Sequence, residues 1–175
     1  MRGWSFFVRG GEKMDIRKLF AMQRQLDERI ETERGLRGER LVERKLLALL
    51  VEIGELANET RCFKFWSSKP PAAVETILEE YVDGLHFILS LGLDLSLHEG
   101  VQWPNVQESR PLVDQFLRVF EAVHAFGGQL NEEAYNQLVY AYAQLAHALS
   151  FTAQQIERAY IAKNEVNHER QSHNY

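Results

Sequence analysis

Apolar residues recur along the chain at intervals of three and four, and nowhere is there a convincing run of alternating apolar and polar positions. Proline and glycine divide this pattern into six stretches. It predicts helices over residues 15–32, 38–60, 71–93, 109–126, 131–149 and 152–172. Local signals mark several starts. Pro70 and Pro71 suit the entry to the third helix, Asn131 followed by Glu132 and Glu133 suits the fifth, and Thr152 with Gln155 makes a capping box for the sixth. The connections are short enough for antiparallel neighbours, except residues 94–108. The expected fold is all-α, a compact bundle of about six helices. No repeat, linker or low-complexity tract divides it.

The polar positions carry the next inference. Glu52-Ile53-Gly54-Glu55 and Glu80-Tyr81-Val82-Asp83 lie in separate predicted helices with 24 residues between them. Carboxylates three apart on a helix share a face, because three steps of about 100° return to within roughly 60° of the start. Glu52, Glu55 and Glu59 form a narrow arc beside an apolar stripe of Leu46, Leu49, Leu50, Ile53 and Leu56. Glu80 and Asp83 border a second stripe, Ile77, Leu78, Tyr81, Leu85 and Ile88, and Phe87 shares the acids' face. One such pair alone reads as solvated acids on an amphipathic helix. Two pairs, both bordering core stripes, read as halves of one site in a four-helix core. Oxygen ligands of this kind hold hard cations, Mg2+ or in its place Mn2+.

Composition narrows the partners. The 175 residues suffice for one domain with a real core, and 25 acidic against 20 basic side chains give a net charge of −5. That balance argues against nucleic acid and leaves an anionic small molecule open. A single cysteine, Cys62, excludes an internal disulfide and a Cys-based zinc site, so a cytoplasmic protein is expected. No apolar run approaches the roughly 18 residues needed to span a bilayer, so no membrane association is expected. Residues 1–13 differ in character from the rest. Gly10-Gly11-Glu12-Lys13 can be encoded by purine-rich codons resembling a bacterial ribosome-binding site, so Met14 is the expected natural start and residues 1–13 an extension.

Opposite charge comes from the last helix, where Lys163, Asn167 and Arg170 fall at i, i+4 and i+7 in line with Ile156 and Tyr160. This face begins apolar and ends as a row of hydrogen-bond donors suited to phosphate oxygens. Residues 61–69 mix three cations with three aromatics, including Lys64 and Trp66, in a predicted loop of the composition of a lid over a nucleotide. On the first helix Gln23 and Gln25 flank an apolar face, and a buried amide can match a donor and an acceptor on a pyrimidine edge. His86, three residues after Asp83, reads as a hydrogen-bonding group more than a metal ligand.

Together these residues resemble a known group. Glu52-x-x-Glu55 followed by Glu80-x-x-Asp83 is similar to the signature of the all-α nucleoside triphosphate pyrophosphohydrolases. Four segments resemble the dimeric dUTPases among them: Met22-Gln23-Arg24-Gln25-Leu26-Asp27, Lys64-Phe65-Trp66, Tyr81 to Phe87, and Lys163 to Gln171. The resemblance runs from about Met14 to the end, and the terminal Lys-Asn-x-x-Asn-x-x-Arg-Gln pattern is its most particular part. It implies hydrolysis of dUTP, and of dUDP, to dUMP by a Mg2+-dependent homodimer. Glu52, Glu55, Glu80 and Asp83 are then metal-site carboxylates, and the first pair, Glu52 and Glu55, is catalytic, one of the two, with Glu52 favoured, also orienting and deprotonating the attacking water. Lys163, Asn167 and Arg170 hold phosphates and sugar, Gln23 reads uracil, and Trp66 borders the base. His86 and Phe87 lie against the deoxyribose. Asp27 departs from the pattern, standing where asparagine is expected.

Three rivals remain at this level. A related pyrophosphohydrolase acting on dCTP or a modified nucleoside triphosphate shares the acidic signature. A carboxylate-bridged iron bundle wants Glu-x-x-His on two helices, whereas only Asp83-x-x-His86 occurs here. A non-catalytic helical dimer needs none of the acids.

Overall fold

The computed structural model describes residues 14–108 and 110–172. The described residues form six helices and no strand: α1 (Ile16–Glu33), α2 (Val42–Thr60), α3 (Val74–Asp94), α4 (Leu112–Gln129), α5 (Glu132–Ala148) and α6 (Ala153–Ser172). The all-α expectation holds. The expected extension before Met14 lies outside the described residues.

α3 is the axis of the bundle, packing against α1, α2, α5 and α6, while α2 also meets α4 and α4 pairs with α5. Its sequence suits that place. Ile77, Tyr81, Leu85 and Ile88 of the predicted stripe are buried, and from Tyr81 onward burial extends around the helix to Val82, Leu89 and Leu91. Two glycines let α5 come close. Tyr142 Oη donates to the Tyr81 carbonyl (2.7 Å), and Tyr81 Oη donates to the Tyr142 carbonyl (2.9 Å). Two turns along, Tyr135 Oη donates to the Ile88 carbonyl (2.9 Å). A Cβ on Gly84 would sit 2.2 Å from Tyr142 Oη, and one on Gly92 2.2 Å from Tyr135 Oη. The missing side chains are the holes that the tyrosines fill.

Caps behave as the sequence predicts at two starts. Asn131 accepts from the Ala134 amide (2.9 Å), and Thr152 and Gln155 bond each other's backbone amides (3.2 and 2.9 Å). Other boundaries move. α2 begins at Val42 because Gly38 takes φ +81° in the turn before it, outside the helical region. α3 begins at Val74, since Ala73 is outside the helical region (φ −58°, ψ 147°) and the Ala72 amide donates to the Glu59 carbonyl (3.0 Å) instead of joining a helix. α4 runs through Gly127 and Gly128 and stops at Leu130, whose φ of +50° ends the helix.

This packing brings α1, α2, α3 and α6 around one cleft of about 320 Å3. It is the four-helix core that the acidic pairs predict. A wider groove of about 1270 Å3 between α4 and α5 carries none of the predicted site residues.

Candidate active site

Glu52 on α2 and Glu80 and Asp83 on α3 each place a carboxylate oxygen within 4.8 Å of the others. All three are half-buried, because each borders the apolar stripe that packs α2 on α3. Burial and crowding act together on them. Burial first, then the charges of Asp83, Glu55 and Glu80, push the Glu52 carboxyl up to about 7. Burial, followed by Asp83 and Glu55, raises Glu80, and burial raises Asp83 against the pull of Lys163. Glu55 stands differently. It is exposed and outside the cluster of three, although its charge is felt by Glu52 and Glu80.

Lys163 on α6 closes one side of the cluster. Its Nζ donates to Asp83 Oδ2 (2.6 Å) and Glu79 Oε1 (2.7 Å), and its side chain is only 10% exposed. Burial opposes its charge, but these two carboxylates outweigh burial and raise its pKa. The predicted phosphate ligand therefore rests as a counter-ion to the acids. Glu79 escaped the sequence reading, although it lies four residues before Asp83 and so shares that acid's face. Asn167 and Arg170 line the cleft beside Glu52 and Asp83, as does Phe87.

At the other end of the cleft Gln23 is buried, whereas Gln25 is exposed. Its Nε2 donates to Asp27 Oδ1 (2.8 Å), and its Oε1 receives Tyr160 Oη (2.6 Å) and lies 2.7 Å from His86 Nδ1. The His86 ring stacks on Tyr160, with centroids 4.1 Å apart. Burial, with the Lys163 charge adding to it, holds His86 down at about 3, so the ring is neutral. Ser90 Oγ donates to Asp27 Oδ2 (2.7 Å). Lys45 bonds Asp94 through both carboxylate oxygens (2.8 and 2.7 Å) and stands 4.0 Å from Asp27. Tyr160, Ser90 and Lys45 were not singled out by motif. Helical spacing carries a signal for two of them: Lys45 precedes Glu52 by two turns and Ser90 follows Asp83 by two turns.

The aromatic loop stands apart. Trp66 is 65% exposed, edge-on to Phe65 and Phe63, and Lys64 bonds Asn58. Neither Lys64 nor Trp66 lines the cleft of the single chain.

Fold and site together define an all-α protein with a cluster of carboxylates, oxygen donors that could hold a cation, beside a partly polar cleft. A family model described as dUTPase matches residues 15–175, nearly the whole chain. The chain belongs to that family, the all-α dUTPases that its motifs resemble, and is a dUTP diphosphatase. No curated protein matches it. No helix among the described residues is long and apolar enough to cross a membrane.

Proposed function

We propose that residues 14–175 form a cytoplasmic, Mg2+-dependent homodimer that hydrolyses dUTP to dUMP and pyrophosphate, and dUDP to dUMP and phosphate. One observation carries this reading: three carboxylate oxygens lie within 4.8 Å of one another, Asp83 among them is backed by Lys163, and two of the acids, Glu52 and Asp83, line the cleft that also holds Asn167, Arg170, Gln23, His86 and Phe87.

The residues fit the metal. All three donors are carboxylate oxygens, the type a hard cation takes, and burial first, then the neighbouring acids, push Glu52 up to about 7, a cost to its charged form that a cation relieves. Glu52, Glu80 and Asp83 would hold it, with Glu55 joining from the next turn of α2. Bound there, Mg2+ neutralises phosphate charge and makes water a better nucleophile at neutral pH. The protein's own groups do the rest. Glu52 orients the attacking water and accepts its proton. Lys163 exchanges Asp83 and Glu79 for phosphate oxygens, and Arg170 and Asn167 bind the phosphate chain and sugar. Phe87 packs on the deoxyribose and leaves no room for a 2′-hydroxyl, while Gln23 stands at the base.

A second copy of the chain completes the site in this reading. Leu47 and Val51, one turn apart on α2, are exposed, as are Phe65, Trp66 and Val74 in and beyond the loop that follows. Burying such residues between subunits places Trp66 and Lys64 within an assembly instead of in solvent.

The decisive measurement is pyrophosphate release from dUTP, dCTP, dTTP and UTP, with Mg2+ and with chelator. Chelator-sensitive release selective for dUTP is expected. Preference for dCTP would transfer the proposal to that nucleotide, and inactivity on all four would sink it.

A further inference from the structure

Asp27 departs from the asparagine that the resemblance leads one to expect, and its bonds have a direction. A carboxylate only accepts, so Gln23 must turn its Nε2 toward Asp27 Oδ1 (2.8 Å). The amide oxygen then faces the other way, toward Tyr160 Oη (2.6 Å) and His86 Nδ1 (2.7 Å). An amide oxygen also only accepts, so the proton of the neutral His86 ring sits on Nδ1. Nε2 keeps a bare lone pair. That atom is buried and has no hydrogen-bond partner among the described residues, and the ring, 6% exposed, lines the cleft. Most buried acceptors in a folded protein are paired, and what sets this open one apart is that its ring lines the cleft.

Asp27 meets donors on both carboxylate oxygens, Gln23 Nε2 on Oδ1 and Ser90 Oγ on Oδ2, with Lys45 Nζ 4.0 Å from Oδ2. Burial raises its pKa, and Lys45, Ser90 and Gln23 act against that rise. Lys45 is fixed there by its two bonds to Asp94.

We propose that Asp27 is a positioning residue that, through Gln23, sets His86 in the Nδ1–H tautomer, so that Nε2 accepts a hydrogen bond from the bound nucleoside. The proposal rests on the nucleotide reading above and adds a requirement to it: the ligand must bring a donor to Nε2. Uracil's imide N–H is one source and the sugar 3′-hydroxyl another. Asparagine at position 27 removes the constraint, since it offers Gln23 either an oxygen or an NH2 group, and the whole chain of bonds can reverse.

Two readouts test this on the full chain. Nitrogen-15 NMR of histidine-labelled protein without nucleotide, assigned with His86→Gln, is expected to show protonated Nδ1 and unprotonated Nε2 at His86. A proton on Nε2 in the unaltered protein overturns the proposal. In Asp27→Asn the kcat/KM ratio of dUTP over dCTP, or of dUTP over its 2′,3′-dideoxy analogue, is expected to narrow by about tenfold, since a mispaired buried polar group is at stake. Narrowing of the first ratio identifies the imide as the donor, and of the second the hydroxyl. Both ratios unchanged would overturn the proposal. Absence of turnover on every nucleotide defeats the functional reading instead, while the tautomer is read without any substrate.

Discussion

Glu52 is the residue on which charge, burial and chemistry meet. Its carboxyl titrates near 4.5 in an unfolded chain and about 7 in the fold, so the folded state holds its proton longer. The sign follows from linkage. Below about 4.5 the group is protonated in both states and contributes nothing, and between about 4.5 and about 7 stability falls as pH rises, because the folded state binds more protons. Metal-free protein should therefore melt at lower temperature above pH ~7 than near pH ~5 as far as this group decides. Glu52→Gln should flatten that slope and raise the melting temperature above pH ~7 by roughly 2–4 °C per kcal/mol relieved. Thermal scans in chelator against pH check it; an unchanged slope would show that Glu52 is not the strained acid. The same substitution should remove turnover. Lys163 has the complementary role, and Lys163→Met should lower kcat/KM for dUTP by about a hundredfold or more, as loss of a fixed charge-stabilising donor does.

At the scale of elements the close approach of α3 and α5 is the feature most exposed to a single change. Gly84→Ala drives a Cβ to 2.2 Å from Tyr142 Oη, which also donates to the Tyr81 carbonyl. Overpacking of this kind costs about 1–3 kcal/mol. Gly127→Ala, on the exposed side of α4 with only Leu46 at 3.5 Å, should instead stabilise by about 0.5–1 kcal/mol. Urea titration of both variants compares the two, and equal effects would mean the tyrosine contact is softer than the distances imply. The six helices were legible from periodicity, and the starts of α5 and α6 from their caps. The stop of α4 was not, because Gly127 and Gly128 looked like punctuation while the turn fell on Leu130, a residue with no intrinsic preference for φ of +50°. The acids were legible as pairs but not as a set. Periodicity puts Glu52 and Glu55 on one face, yet only the angle between α2 and α3 takes Glu52 into the cluster and leaves Glu55 outside it.

For the whole molecule, metal and nucleotide act as ligands of the native state alone. Mg2+ at a hundredfold excess over its Kd should stabilise by about 2.7 kcal/mol, roughly 5–10 °C for a chain of this size. A non-hydrolysable dUTP analogue should add to that. A melting temperature indifferent to both would count against the cluster as a cation site. Sedimentation checks the assembly: the protein should run as a dimer and Leu47→Glu as a monomer, and a monomeric unaltered chain would leave Trp66 and Lys64 outside the site.

By itself the sequence determined the helical class, the two acidic pairs, the donor row of Lys163, Asn167 and Arg170, and the family, because each depends on residue type at fixed helical spacing. Only the tertiary structure decided which acids meet, that Lys163 rests on Asp83 and Glu79, and that Gln23 is tied to Asp27, Tyr160 and His86. Apart from Gln23–Asp27, one turn apart on α1, these contacts join different helices: the acids of α2 and α3 are about 30 positions apart, and the hydrogen-bonded pairs are 63 to 137 apart. Local periodicity orients a side chain about its own helix axis, and the crossing of two axes, set by how Gly84 and Gly92 admit the tyrosines and how the apolar stripes interlock, is a property of the packed whole.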